Sequence, residues 1–144
     1  MIDRAGILAL VPHQGAMCLW DEVLAWDAQS IRLRADRHRD VAHPLRHRDR
    51  LHAVHLCEYG AQAMAVHGGL LAQARGGRAG EGLLVALRGV ALHVARIDDL
   101  PGPLACEANV LVSGDTAQQY AFRITHAGTL LAEGRAAVML QPAP

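Results

Sequence analysis

Glu58 stands in the middle of the most helix-prone and most apolar stretch of the chain, LHAVHLCEYGAQAMAVHGGLLAQ (51–73). Carboxylates are almost never fully buried without a partner. Burial favours the neutral acid and raises its pKa, and a neutral carboxylic acid in a dry pocket can donate a proton at pH 7. At helical spacing His55 and Gln62 share the face of Glu58, and Gln62 can hold the carboxyl in one orientation. The same spacing also suits a carboxylate on a solvent or subunit face held by an arginine, so Glu58 alone leaves both readings open.

Nine histidines in 144 residues are the compositional oddity. Five of them, His38, His43, His47, His52 and His55, precede or begin the helical stretch. His43-x3-His47 and His52-x2-His55 have helical spacings, but the first pair falls in a loop. No HExxH pattern and no cysteine assists, so no metal site is expected. An imidazole with a pKa near ~6.5 suits acid–base work. His13, between Pro12 and Gly15, could line a pocket mouth or sit in a surface turn. His67, His93 and His126 read as structural or exposed. Arg46, Arg48 and Arg50 form a basic loop patch, either solvated or a docking site for an acidic carrier or a phosphate. Cys57, beside Glu58 with apolar helical neighbours, reads as an inert core thiol.

These residues need a scaffold, and the chain can build one. Its length fits a single domain over 1–144. A hydrophobic share of 51% supports a core and excludes disorder. The 14 cations, all arginine, balance 14 acids, which argues against nucleic acid as a partner. The lack of lysine excludes Schiff-base and P-loop lysine chemistry. Three scattered cysteines indicate a reducing compartment, with cytoplasmic placement expected. The opening apolar run is short and broken by Pro12, so no signal peptide is expected, and no run is long enough to span a membrane.

Along the chain, 20–36 carries a hairpin signal, with Val23, Ala25, Ile31, Leu33 and Ala35 alternating around an Asp27–Ser30 turn. Residues 37–50 read as a loop. The helix over 51–73 is apolar on nearly all sides and so should be buried. Strands follow at 82–97, with Gly89 as a bulge or bend, and at 104–114, with Ala108, Val110 and Val112 on one face. Two more strands join at His126–Thr129. A hairpin, one long helix and a run of antiparallel strands make an α+β domain with one sheet wrapped around one helix. Its exposed edge predicts a homodimer.

Three segments carry a resemblance: VPHQGAMCLWDEVLAWD (11–27), AHPL (42–45) and LHAVHLCEYGAQAMA (51–65). Together they resemble the opening, the Gly-His-Phe-Pro loop and the central helix of the beta-hydroxyacyl-acyl-carrier-protein dehydratases. Within that group PHQGAMCLWDEV, EYGAQAMAVHG and GVALHVARIDDLPGPL (89–104) are most similar to the dehydratases of aryl-polyene clusters. The full histidine loop of the family is absent, and His52 and Ala53 replace the Pro-Gly that opens its helix.

The resemblance implies a hot-dog fold and dehydration of a 3-hydroxyacyl thioester to a trans-2-enoyl thioester. His43, or its competitor His13, would remove the α-proton, and Glu58 would protonate the departing hydroxyl. Backbone N–H groups at Ala53 and Val54 would stabilise the thioester oxygen, with Gln62 and Gly89 among the substrate-binding positions. In related dimers the base loop of one subunit faces the helix acid of the other. Pantetheine on an acyl carrier protein would dock at Arg46, Arg48 and Arg50. No metal or organic cofactor is implied. A thioesterase and a catalytically silent partner subunit of the same fold are the rivals.

Overall fold

The computed structural model describes residues 1–77 and 82–140. A short helix α1 (Arg4–Leu8) leads into a hairpin of β1 (Glu22–Trp26) and β2 (Ser30–Ala35). The long helix α2 (Leu56–Ala74) follows, then β3 (Gly82–Leu92), β4 (Leu104–Ser113), β5 (Ala117–His126) and β6 (Thr129–Leu140). The strands form one antiparallel sheet in the order β1-β2-β4-β5-β6-β3. The β5–β6 turn falls at Ala127 and Gly128, both at positive φ, inside the expected junction.

Alternation fixes which face of the sheet meets α2. Ile31, Leu33 and Ala35 of β2, Leu104, Cys106 and Ala108 of β4, and Tyr120, Phe122 and Ile124 of β5 are buried. They pack with Leu56, Tyr59, Ala63, Val66 and Leu70 of α2 in one core. The outer face carries Arg32, Glu107, Arg123 and Glu133 at successive register positions across four strands, an opposite-charge order that favours this register. His67 lies fully buried on α2. Its Nε2–H donates to the Asp27 carbonyl (2.7 Å), and Nδ1 accepts from the Tyr120 hydroxyl (2.6 Å). It therefore ties the helix to the hairpin turn and to β5.

Two sequence boundaries and one facing are corrected, the boundaries by one cause. The helix begins at Leu56, after a 3-10 turn over Ala53–His55, rather than at 51, and β3 stops at Leu92 rather than 97. Residues 51–53 and 95–98 spend their backbone groups on each other instead. Ile97 N–H donates to the Leu51 carbonyl (3.0 Å), Ala53 N–H to the Ala95 carbonyl (3.0 Å), and Leu51 N–H to Asp98 Oδ1 (2.8 Å). The third correction is Val112. A bulge between Val110 and Val112 turns it outward, and it is 51% exposed.

Asp98 anchors this clasp, and Arg96 holds it from the other side. The Arg96 hydrogen bond, ahead of the Leu51 N–H, keeps the Asp98 carboxyl well below the usual carboxylate range. Asp98→Ala strands the Leu51 N–H and is expected to cost about 1–3 kcal/mol in urea unfolding near neutral pH. The unfolded chain takes up this proton near ~3.9, before the folded one does. The charge-dependent share is thus complete above that pH and lost below it. The gap between wild type and Asp98→Ala should narrow as pH falls below about 4; a constant gap would show that the charge contributes nothing.

Candidate active site

The segment between α1 and β1 is held from four directions. Gln14 Nε2 donates to the carbonyls of Leu8 (2.8 Å) and Val11 (2.9 Å). Arg4 donates to the carbonyls of Cys18 (2.7 Å) and Gly15 (2.6 Å). Arg37 binds the Cys18 carbonyl and Asp21. From α2, Gln62 donates to the Met17 carbonyl (2.8 Å) and accepts from Leu19 N–H (2.9 Å). A glycine suits position 15, where φ is +58°. This bracing holds the backbone on both sides of His13.

His13 Nε2 lies 3.7 Å from Glu58 Oε1. Gln62 Nε2–H donates to the same carboxyl oxygen at 3.0 Å, across the i, i+4 spacing of the two residues. Its buried amide, with the oxygen on Leu19 N–H and the nitrogen on Met17 and Glu58, has one possible orientation. His13 and Glu58 stand at one end of a cavity of about 650 Å³. Leu10, Val11, Ala61, Met64, Ala65, Gly68 and Ala72 wall it, with Gln73, Arg75 and Gln118 also on the wall. The Glu58 side chain is 35% exposed, so the single chain does not give it the dry surroundings expected from the apolar sequence.

His43 is elsewhere. It is 7% exposed, and its ring stacks on Tyr59. Nδ1 accepts from Leu45 N–H (3.2 Å), so the neutral ring carries its proton on Nε2 and donates to the Tyr59 hydroxyl (3.0 Å). Burial first, and Arg37 and Arg46 next, lower its pKa to about 4. Both nitrogens are engaged, the ring is neutral at pH 7, and His43 is not on the cavity wall. Within this chain it is not placed to act as base opposite Glu58.

The expected oxyanion donors are also engaged. Ala53 N–H goes to Ala95, and Val54 N–H to His52 Nδ1 (2.9 Å). Gly89, at φ +59°, sits in the anticipated β3 bulge beside Arg135 and does not line the cavity. Arg46 turns inward onto the carbonyls of Arg39 and Asp49. Arg48 and Arg50 instead line a second concavity of about 490 Å³ with His47, His52 and His55. Cys57 is half-buried, and burial raises its thiol pKa.

Sequence reasoning missed Arg4, Gln14 and Arg37. They act on carbonyls three to nineteen residues away, and no helical or strand period marks such contacts.

No curated protein matches the chain, but solved structures do. The dehydratase heterocomplex ApeI:P from Xenorhabdus doucetiae superposes with a TM-score of 0.83 at 23% identity, over 92% of this chain and 88% of that one. AziG from S. sahachiroi gives 0.60 at 17%, over 85% and 91%. A hypothetical thioesterase with coenzyme A from Streptococcus pneumoniae TIGR4 gives 0.60 at 14%, over 83% and 84%. At these identities the likeness establishes the fold, and the one-helix, one-sheet architecture is the hot-dog fold. The ApeP-like family, described as ApeP dehydratase, matches residues 5–143. That span takes in the His13 segment, α2 and all six strands, and the protein therefore belongs to the ApeP-like dehydratase family.

Proposed function

We propose that the protein removes water from a 3-hydroxyacyl thioester on an acyl carrier protein and releases the trans-2-enoyl thioester. The observation that carries this reading is the His13–Glu58 pair, 3.7 Å apart at one end of a cavity walled largely by apolar residues. His13 Nε2 takes the α-proton. The freed electron pair forms the Cα=Cβ bond as the β C–O bond breaks, and protonated Glu58 gives its proton to the leaving oxygen. Water departs, and the proton on His13 returns to Glu58 to reset the pair. Gln62 already donates to Oε1, which favours Oε2 as the oxygen carrying the transferable proton.

Ala53 and Val54 N–H are spent, so the thioester oxygen needs another donor. Gly89 lies on β3, the sheet edge that exposes Leu83, Leu84, Val85, Leu87 and Val90. A long apolar edge calls for a cover. We place a second hot-dog subunit there, a copy of this chain or a homologue, with Gly89 as a substrate contact supplied across that interface. The reaction needs no metal or organic cofactor, and the cytoplasm is its proposed setting.

The test is a mass-shift assay on 3-hydroxyacyl carrier protein. Loss of water supports the reading, and release of free acid replaces it with a thioesterase. Where reaction needs an added hot-dog partner, its loss in Glu58→Gln of this chain makes that partner the second subunit of the site, and its survival in Glu58→Gln makes this chain the silent half of a pair.

Arg48 and Arg50, with His47, His52 and His55, are the proposed carrier-docking surface in place of the three-arginine patch. Arg48→Ser with Arg50→Ser should raise KM for carrier-bound substrate about fivefold with kcat unchanged, since two exposed charges contribute about 1 kcal/mol together. The salt dependence should also flatten. A pantetheine thioester without the protein should be unaffected; an equal loss there would put the arginines in the substrate site.

A further inference from the structure

α2 contains three glycines past its first turn, Gly60, Gly68 and Gly69, and glycine inside a helix is destabilising relative to alanine. Two have a steric reason. A Cβ on Gly60 would stand 2.7 Å from the Phe122 ring, and one on Gly69 would stand 2.9 Å from the Leu10 carbonyl oxygen. Gly68 has none. Among the described residues its Cβ would meet only Gln118 Oε1, at 4.0 Å, and its φ is not in the positive range. Yet Gly68 lines the same cavity that holds His13 and Glu58.

We infer that the room over Gly68 is the passage for the distal part of the acyl chain, and that Gly68 determines chain-length specificity. The inference rests on the dehydratase reading above. Ten residues of helix separate Glu58 from Gly68, about 15 Å along the axis. An extended chain covers that in about a dozen bonds. On the helix side the intervening wall, Ala61, Met64 and Ala65, is apolar and mostly small, which suits an alkyl chain, and Gln118 is the polar group nearest Gly68. The substrate class is therefore a long acyl thioester, whose thioester lies at Glu58 and whose tail passes Gly68.

The test compares wild type, Gly68→Ala and Gly68→Leu on 3-hydroxyhexanoyl and 3-hydroxytetradecanoyl thioesters. In Gly68→Leu, kcat/KM for the long substrate should fall tenfold or more while the short one stays within about twofold. Gly68→Ala should raise Tm by about 4 °C, because it removes the glycine cost without a clash. Equal loss on both substrates, with a changed oligomeric state, would make the gap a subunit contact and overturn the inference. Equal retention on both would overturn it too. Binding of tetradecanoyl-pantetheine, which has no hydroxyl to lose, separates the two claims. If wild type dehydrates neither substrate, yet binds this probe and loses binding in Gly68→Leu, the dehydratase reading falls and the passage stands. Equal binding by both proteins removes the passage.

Discussion

Replacing His13 with alanine is expected to lower dehydratase turnover by about 10²–10⁴-fold, the usual loss for a positioned acid–base group. Glu58→Gln should lose a similar factor, and the double variant should be little worse than either single one, because the two groups serve one proton circuit. His43→Phe should behave differently. The phenyl ring keeps the stack on Tyr59 but takes away the partner of its hydroxyl, so the expected cost is about 1–3 kcal/mol of stability, with kcat within a few-fold.

Acid unfolding gives a second readout of the same contrast. The unfolded His43 takes its proton near ~6.5, whereas burial holds the folded one at about 4. Between these values the unfolded state binds more protons. His43 therefore makes stability rise with pH through that window, with its contribution complete above the upper limit. His43→Phe should lose that part of the slope. If a folded His43→Phe protein has no turnover while His13→Ala retains it, the base assignment reverses.

The sequence supplied both histidines and no way to choose between them. His43 and Glu58 have an interval that resembles a known family, but spacing along a chain does not say which way a ring points. What removed His43 from the cavity was Tyr59, one residue past Glu58 and so about 100° further round the helix, facing the core. Glu58 and Gln62 were legible because helical periodicity is strong and both lie on one element. The hairpin and the β5–β6 turn were legible for the same local reason. The clasp between 51–53 and 95–98 was not, because two segments more than forty residues apart exchange backbone bonds there. Residues 51–53 kept a helix-like sequence, and 93–97 kept a strand-like one. Tertiary pairing overrode both preferences. The loop arginines show the same limit: a triplet at alternate positions looks like one patch, yet Arg46 satisfies loop carbonyls while Arg48 and Arg50 reach the concavity.

Gly60→Ala should be the most destabilising of the small substitutions on α2. The new methyl group would lie 2.7–2.9 Å from three atoms of the Phe122 ring, well inside contact distance. Phe122 has little room to retreat, being buried and packed over Gly134, its register partner on β6. It is 1% exposed, and its far end already lies 3.1 Å from where a Cβ on Gly134 of β6 would stand. The ring is thus seated between a glycine on the helix and a glycine on the sheet, and it sets the spacing between those layers. Relief must come from moving α2 away from β5, and that carries Glu58, two residues earlier, away from His13. Overpacking of this kind costs about 1–3 kcal/mol, enough to outweigh the gain of about 1 kcal/mol in helix propensity. A lowered Tm together with reduced turnover in the remaining folded protein is expected. Gly68→Ala, eight residues along the same helix, should shift Tm in the opposite direction. If both substitutions stabilised, propensity alone would govern α2, and the Phe122 contact would not hold the helix at its observed distance. If Gly60→Ala lowered Tm but left turnover intact, the His13–Glu58 geometry would be independent of the helix–sheet spacing.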